Sequence, residues 1–253
     1  MAFTFAVSGK GGVGKTTIAG ILITRLIRQG FEPVLAVDAD PNMCLDTLLG
    51  VKVIKSIGGI REEAREIASK GELQGIARQD YLQLKVSQCL VETDHFDLIA
   101  MGRSEGPGCY CSANNALKTI ISQISSSYPY IVLDNEAGLE NLSRRIIQQV
   151  DVLIMVAEPS KMGIETLLRL QSLAIEMNIK YSKLVIIINR HRNPGFSGMM
   201  PGIKEKTNAD MVINFPDNIE IAEFSEQGKS LFDLSGNNEI VKQIDEMIPQ
   251  ILK

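Results

Sequence analysis

No apolar run in this chain approaches the ~20 residues that a membrane-spanning helix requires. The opening residues, MAFTFAVSGK, lack the length and the charged n-region of a signal peptide, which places the protein in the cytoplasm. An excess of positive charge is missing too. With 26 Lys and Arg against 30 Asp and Glu, the net charge of −4 excludes a general attraction to nucleic acid or anionic lipid. The densest basic clusters are Arg144–Arg145 and Arg190–His191–Arg192. Histidine is scarce, with His95 and His191 alone, so a histidine-rich metal store is excluded. The four cysteines, none beyond Cys111, read as cytoplasmic thiols rather than disulfides. There is no linker, internal repeat or low-complexity tract, and residues 1–253 read as one domain.

What is present is alternation. FTFAV (3–7), PVLAV (33–37), FDLIAM (96–101), YIVLD (130–134), DVLIMVA (151–157) and KLVIIIN (183–189) are continuous apolar runs, as expected of strands covered on both faces. DYLQLKV (80–86) and MVINF (211–215) are further strand candidates. Helical patterns occupy 15–29, 112–126, 163–177 and 238–252. The spacing predicts an α/β fold, a mostly parallel twisted sheet with helices on both faces. Residues 51–80, polar and weakly periodic, read as an insertion. The last helical pattern puts Ile240, Val241, Ile244, Met247, Ile248 and Ile251 on one side, with Pro249 interrupting it. Its charged residues sum to −1, so it reads as a helix packed on the core rather than a stable membrane anchor.

Residues 8–17, SGKGGVGKTT, fit two fingerprints. Gly9, Gly11 and Gly14 satisfy the G-x-G-x-x-G of a dinucleotide turn, and Asp38 stands about where a ribose-binding carboxylate would. Gly9, Gly14, Lys15 and Thr16 satisfy the G-x-x-x-x-G-K-[ST] of a P-loop. A lysine reaching the β- and γ-phosphates and a hydroxyl for Mg²⁺ belong to the second alone, so the chain reads as a single-domain P-loop NTPase. Gly11, Gly12, Val13, Gly14, Lys15, Thr16 and Thr17 would cradle the phosphates of ATP or ADP.

The stretch KGGVGKTT, with its second lysine Lys10, resembles the deviant Walker A motif of the MinD/ParA/nitrogenase iron protein group of dimeric ATPases. VLAVDADP (34–41) resembles the first switch of that group, YIVLDNEAG (130–138) its Walker B strand and second switch, and IIINR (186–190) its adenine-side strand end. FPDNIEIAEFSEQGKSLFD (215–233) is similar to its C-terminal nucleotide loop and helix. The resemblance implies a homodimer in which Lys10 reaches the partner's nucleotide. It also implies that Lys15 binds phosphate, Thr16 ligates Mg²⁺ and Asp40 orients the attacking water. Asp38 would lie near the metal, Asp134 would hold its water shell, and Asn189, Arg190 and Pro216 would contact the base.

GRSEGPGCYCSANNALKTII (102–121) carries the other chemistry. Cys109 and Cys111 follow a glycine-rich turn and precede a helix expected near Ser112, where a helix N-terminus favours thiolate. Two such pairs across a dimer axis would supply four sulfurs, a donor set for Ni²⁺ or Zn²⁺. Cys44 and Cys89 read instead as buried small apolar residues. In the nitrogenase iron protein a second cluster ligand follows the second switch, and its lack here argues against electron transfer. Together, the deviant Walker A, GPGCYC and DNEAGLENLSRR resemble the CooC-type nickel-insertion ATPases. That resemblance implies a nickel-enzyme client, carbon monoxide dehydrogenase or acetyl-CoA synthase. A positioning ATPase and a cysteine redox switch are the competing readings.

Overall fold

The computed structural model describes residues 2–70, 85, 88–103, 111–139, 149–192 and 200–253. Among them, the strands are β1 (Phe3–Gly9), β2 (Val34–Asp38), β3 (Leu90–Glu92), β4 (Phe96–Ala100), β5 (Tyr130–Asp134), β6 (Gln149–Ala157), β7 (Lys180–His191) and β8 (Met211–Pro216). They form one sheet in the order β3-β4-β2-β5-β1-β6-β7-β8. Every pairing is parallel except β3 with β4. Parallel neighbours need crossover connections, and helices between the strands run along them. The described helices are α1 (Lys15–Arg28), α2 (Leu45–Leu48), α3 (Ile57–Ser69), α4 (Cys111–Ile124), α5 (Lys161–Glu176) and α6 (Met200–Thr207), with α7 (Ile219–Gln227) and α8 (Glu239–Ile251) following the last strand.

The period of two along a strand sends alternate side chains into two separate cores. Phe5, Val7, Val132, Ile154 and Ile187 face α1, α2 and α8, whereas Ala6, Leu35, Leu133, Leu153 and Ile186 face α3, α4, α5 and α6. Burial on both faces explains why the central strands read as unbroken apolar runs.

Two expectations need correction, and a third falls almost wholly outside the described residues. Residues 57–69, read as part of an insertion, form α3 and pack Ile57, Ile60 and Ala64 into the second core. The i, i+3, i+7 spacing was present, but one of its three members is an alanine and two glycines, Gly58 and Gly59, fill its first turn. Residues 80–84 and 86 of the expected strand lie outside the described residues, and Lys85 is helical. Finally, Pro249 does not interrupt the last helix, which runs on to Ile251. A proline there cannot bond the carbonyl four residues back. That carbonyl, of Asp245, instead accepts from Gln29 Nε2 at 3.3 Å, so the lost helical bond is replaced from α1. Otherwise α8 behaves as expected, with Ile240, Val241, Ile244, Met247, Ile248 and Ile251 all buried.

Candidate nucleotide site

The central strand β1 ends at Gly9, at the carboxyl edge of the sheet where open α/β folds place ligands. A glycine is required there: φ is +150°, and a Cβ would lie 2.3 Å from the Val156 carbonyl oxygen. Lys10, Gly11 and Gly12 are exposed, while Val13 is buried in the first core and pins the loop. Gly14 adopts φ +94°, and a Cβ on it would come within 2.6 Å of Asn189 Nδ2. The chain then enters α1 at Lys15. Helices α5, α7 and α8 carry side-chain caps from Ser160, Asn218 and Asn238, but α1 has none. Its leading N–H groups are thus left to an anion from outside the chain.

Lys15 is 7% exposed and its Nζ donates to the Lys10 carbonyl at 3.2 Å. Burial draws its pKa downward, while the carboxylates of Asp134, Asp40 and Glu136 oppose that shift. The buried ammonium has a place waiting for phosphate oxygens, with a backbone carbonyl as its partner meanwhile.

Asp38 and Asp134 end β2 and β5 and are opposite one another in register. Both are fully buried, yet they differ in what they hold. The Asp38 oxygens accept from Asp40 N at 3.1 Å and Leu45 N at 3.0 Å, so this carboxylate shapes the 38–45 turn. Burial raises its pKa to about 6 against those two donors. The Asp134 oxygens have no hydrogen-bond partner among the described residues. Burial, and next the Asp38 charge, raise its pKa to about 8, while the nearby Thr16 hydroxyl and Lys15 favour the charged form. An orphaned buried carboxylate beside a threonine hydroxyl at the phosphate end of the loop suits a hard, oxygen-seeking divalent cation such as Mg²⁺. Asp40, at the turn, accepts from Asn42 N and Asn42 Nδ2, each at 2.9 Å.

The residues after β5 are stitched to β1, a link with no local signature in the chain. Asn135 donates to the Val7 carbonyl from its backbone N at 3.1 Å and its Nδ2 at 2.9 Å. Gly138 N donates to Gly9 O at 3.0 Å, and Ser8 Oγ donates to Gly138 O. The second switch therefore starts as an extension of the phosphate loop.

On the other side of α1 lies a cleft of about 330 Å³. Thr17, Asn189, Arg190 and Pro216, all expected at the nucleotide, line it together. Asn189 Nδ2 donates to Val13 O at 2.8 Å and Arg190 Nη1 to Gly12 O at 3.2 Å, tying the β7 end to the loop. The cleft's far wall is Ile221, Ala222 and Ser225 of α7, inside the 215–233 stretch expected to form the nucleotide loop and helix. Asn218 caps that helix, its side chain accepting from Ile221 N.

Cys109 lies outside the described residues, as do 140–145 of the DNEAGLENLSRR block. Cys111 is the first residue of α4, one ahead of the expected helix start. Cys89 is buried as expected, but Cys44 is exposed. It sits on the 38–45 turn, whose backbone Asp38 holds through Leu45 N.

A model of the CobQ/CobB/MinD/ParA nucleotide binding domain matches residues 4–231. The chain is 41% identical over 248 residues to an uncharacterised ATP-binding protein of Methanocaldococcus jannaschii, covering 98% of this chain and 97% of that one. It is 31% identical over 243 residues to the carbon monoxide dehydrogenase accessory protein CooC of Rhodospirillum rubrum, covering 91% and 89%. With the septum site-determining protein MinD of Thermotoga maritima it shares 27% over 255 residues, covering 96% and 85%. Among solved structures, the cell division ATPase MinD of Pyrococcus furiosus superposes with a TM-score of 0.70 at 20% identity, covering 99% and 100%.

Proposed function

We propose a nickel-delivery role for this chain, which belongs to the CobQ/CobB/MinD/ParA nucleotide-binding domain family and is an ATPase. In this reading ATP draws two copies together, and Cys109 and Cys111 of each hold one Ni²⁺ between them. Hydrolysis or docking then passes the ion to a cytoplasmic nickel enzyme, carbon monoxide dehydrogenase or acetyl-CoA synthase. The observation that carries it is the Cys-x-Cys pair, whose second member opens α4. Helix N–H groups there favour the thiolate that a soft metal needs. The CooC relative, a carbon monoxide dehydrogenase accessory protein covered to 89% of its length, supports that enzyme as the client.

The chain's own groups divide the hydrolytic work. The uncapped N-terminus of α1 and Lys15 bind the β- and γ-phosphates, and the buried site excludes water from around that ammonium. Asp40 orients the attacking water. Lys10, exposed at the loop tip, reaches the partner's nucleotide as an arginine finger does elsewhere. Thr16 would ligate Mg²⁺ and Asp134 would hold the ion's water shell, and the ion would supply charge neutralisation at the phosphates. Asp38 serves through the turn it holds.

A positioning ATPase is the second reading, favoured by similarity to the Thermotoga protein. Against a membrane anchor at the C-terminus, the apolar face of α8 is already spent on the core. Delivery is tested with nickel-free carbon monoxide dehydrogenase and with acetyl-CoA synthase, each at limiting Ni²⁺. Activation that requires both the chain and Mg-ATP, and fails with the Cys109→Ala/Cys111→Ala variant, is expected. Equal activation with or without the chain in both clients would contradict the reading.

A further inference from the structure

Two consecutive residues near the carboxyl end of β7 hold two consecutive carbonyls of the phosphate loop. Asn189 Nδ2 donates to Val13 O at 2.8 Å, and Arg190 Nη1 donates to Gly12 O at 3.2 Å. Successive side chains of a strand point to opposite faces, so two neighbours do not ordinarily reach the same loop. Here the β7–β8 register shifts between Ile188 and His191, and Arg190 has φ +63°. That turn of the backbone sets the arginine beside the asparagine. A left-handed φ is costly for a residue with a Cβ, and asparagine tolerates it best. Among the described residues four non-glycines adopt it. Asn178 and Asn208 are asparagines, which leaves Met43 on the first switch turn and Arg190. Strain of this kind clusters at functional sites, where the surrounding structure holds it in place.

A peptide unit is planar and trans, so its C=O and N–H point opposite ways. With Gly12 O held by Arg190, the N–H of Val13 faces away from β7, and with Val13 O held by Asn189, so does that of Gly14. Neither N–H has a hydrogen-bond partner among the described residues. Gly12 and Gly14 stand at φ +80° and +94°. Without a Cβ to restrict them, these glycines would otherwise let the peptides turn over. We infer that Arg190 is a positioning residue for phosphate binding. Jointly with Asn189, it fixes two successive peptides of the loop so that their N–H groups face the phosphates before nucleotide arrives. Donors set in advance bind an anion without the cost of ordering the loop. The guanidinium also lines the base cleft, but its hydrogen bond is to the loop.

A ligand without a base separates loop positioning from base contact. Affinities for a non-hydrolysable ATP analogue and for inorganic tripolyphosphate are measured by displacement of a fluorescent ATP analogue, itself titrated for each variant. Arg190→Ala is expected to weaken both ligands by the same factor, about tenfold, as the loss of a hydrogen bond from a charged group implies. Arg190→Lys, which keeps a cation able to reach Gly12 O, is expected to recover part of both affinities. Arg190→Gly removes the strain as well as the guanidinium. It is expected to unfold at a higher temperature than Arg190→Ala and yet to bind both ligands no better. Unchanged tripolyphosphate affinity in Arg190→Ala overturns the role, and a fall in ATP affinity alone would leave a base contact. Arg190→Gly binding like the wild type also overturns it, by tracing the loss to the backbone. So does Arg190→Lys binding as poorly as Arg190→Ala. A wild-type loop that holds no tripolyphosphate would contradict a cradle set in advance.

Discussion

Asp134 carries the largest electrostatic cost described in the site, because it is fully buried beside Asp38 with both oxygens unpartnered. In the folded chain it keeps its proton up to about pH 8, whereas the ordinary carboxyl releases it near 3.8. The unfolded state therefore binds fewer protons between those values, so this residue lowers stability as pH rises through that window. Below the window the penalty is absent. Asp134→Asn is expected to raise the thermal midpoint of the nucleotide-free protein by several degrees at about pH 8 and to leave it unchanged near pH 4. It is also expected to abolish ATP hydrolysis. Calorimetry at the two pH values, with a phosphate-release assay, checks both. At the same scale Gly14→Ala places a methyl group 2.6 Å from Asn189 Nδ2 on a left-handed residue. A loss of ATP affinity of at least tenfold, read by titration, is expected.

Helix α8 is where packing and the membrane reading make opposite demands. Its buried stripe lies against α1, and Arg25 holds Asp245 through two bonds of 2.8 Å. Ile244→Ala is expected to lower unfolding free energy by about 3 kcal/mol, as other buried truncations do, measured by urea titration. An anchor helix would lose vesicle binding with little change in stability. The elements most legible in the sequence were those with one unambiguous period. The apolar runs at β1, β2, β4, β5 and β6 fell within a residue or two of the observed strands. Helix α3 was missed because its core face uses Ala64 and its first turn has two glycines, so local pattern understated what the β4 exit imposes. The short antiparallel β3 was missed too, as three half-buried or exposed residues carry no period. The phosphate loop was legible because its chemistry is local. The Asn135 stitch was not, since it joins residues 128 positions apart in sequence.

Across the whole molecule, the carboxyl edge of the sheet gathers the phosphate loop, both switch strands and the base cleft at one end. Lys10 is exposed there, whereas Lys15 is buried, so the two lysines of one loop face different subunits in the dimer proposed. Lys10→Ala is expected to bind ATP with near-normal affinity, to remain monomeric by light scattering and to hydrolyse ATP about 10³-fold more slowly. The central claim is a metal site that two copies complete. Its most direct test is anaerobic equilibrium binding of Ni²⁺, with mass followed by light scattering, for the wild type and for Cys109→Ala/Cys111→Ala, with and without ATP. About one tightly held Ni²⁺ per two wild-type chains is expected, and none in the variant, which would still dimerise with ATP. Wild-type dimers that form on ATP yet hold no Ni²⁺ tightly would contradict it.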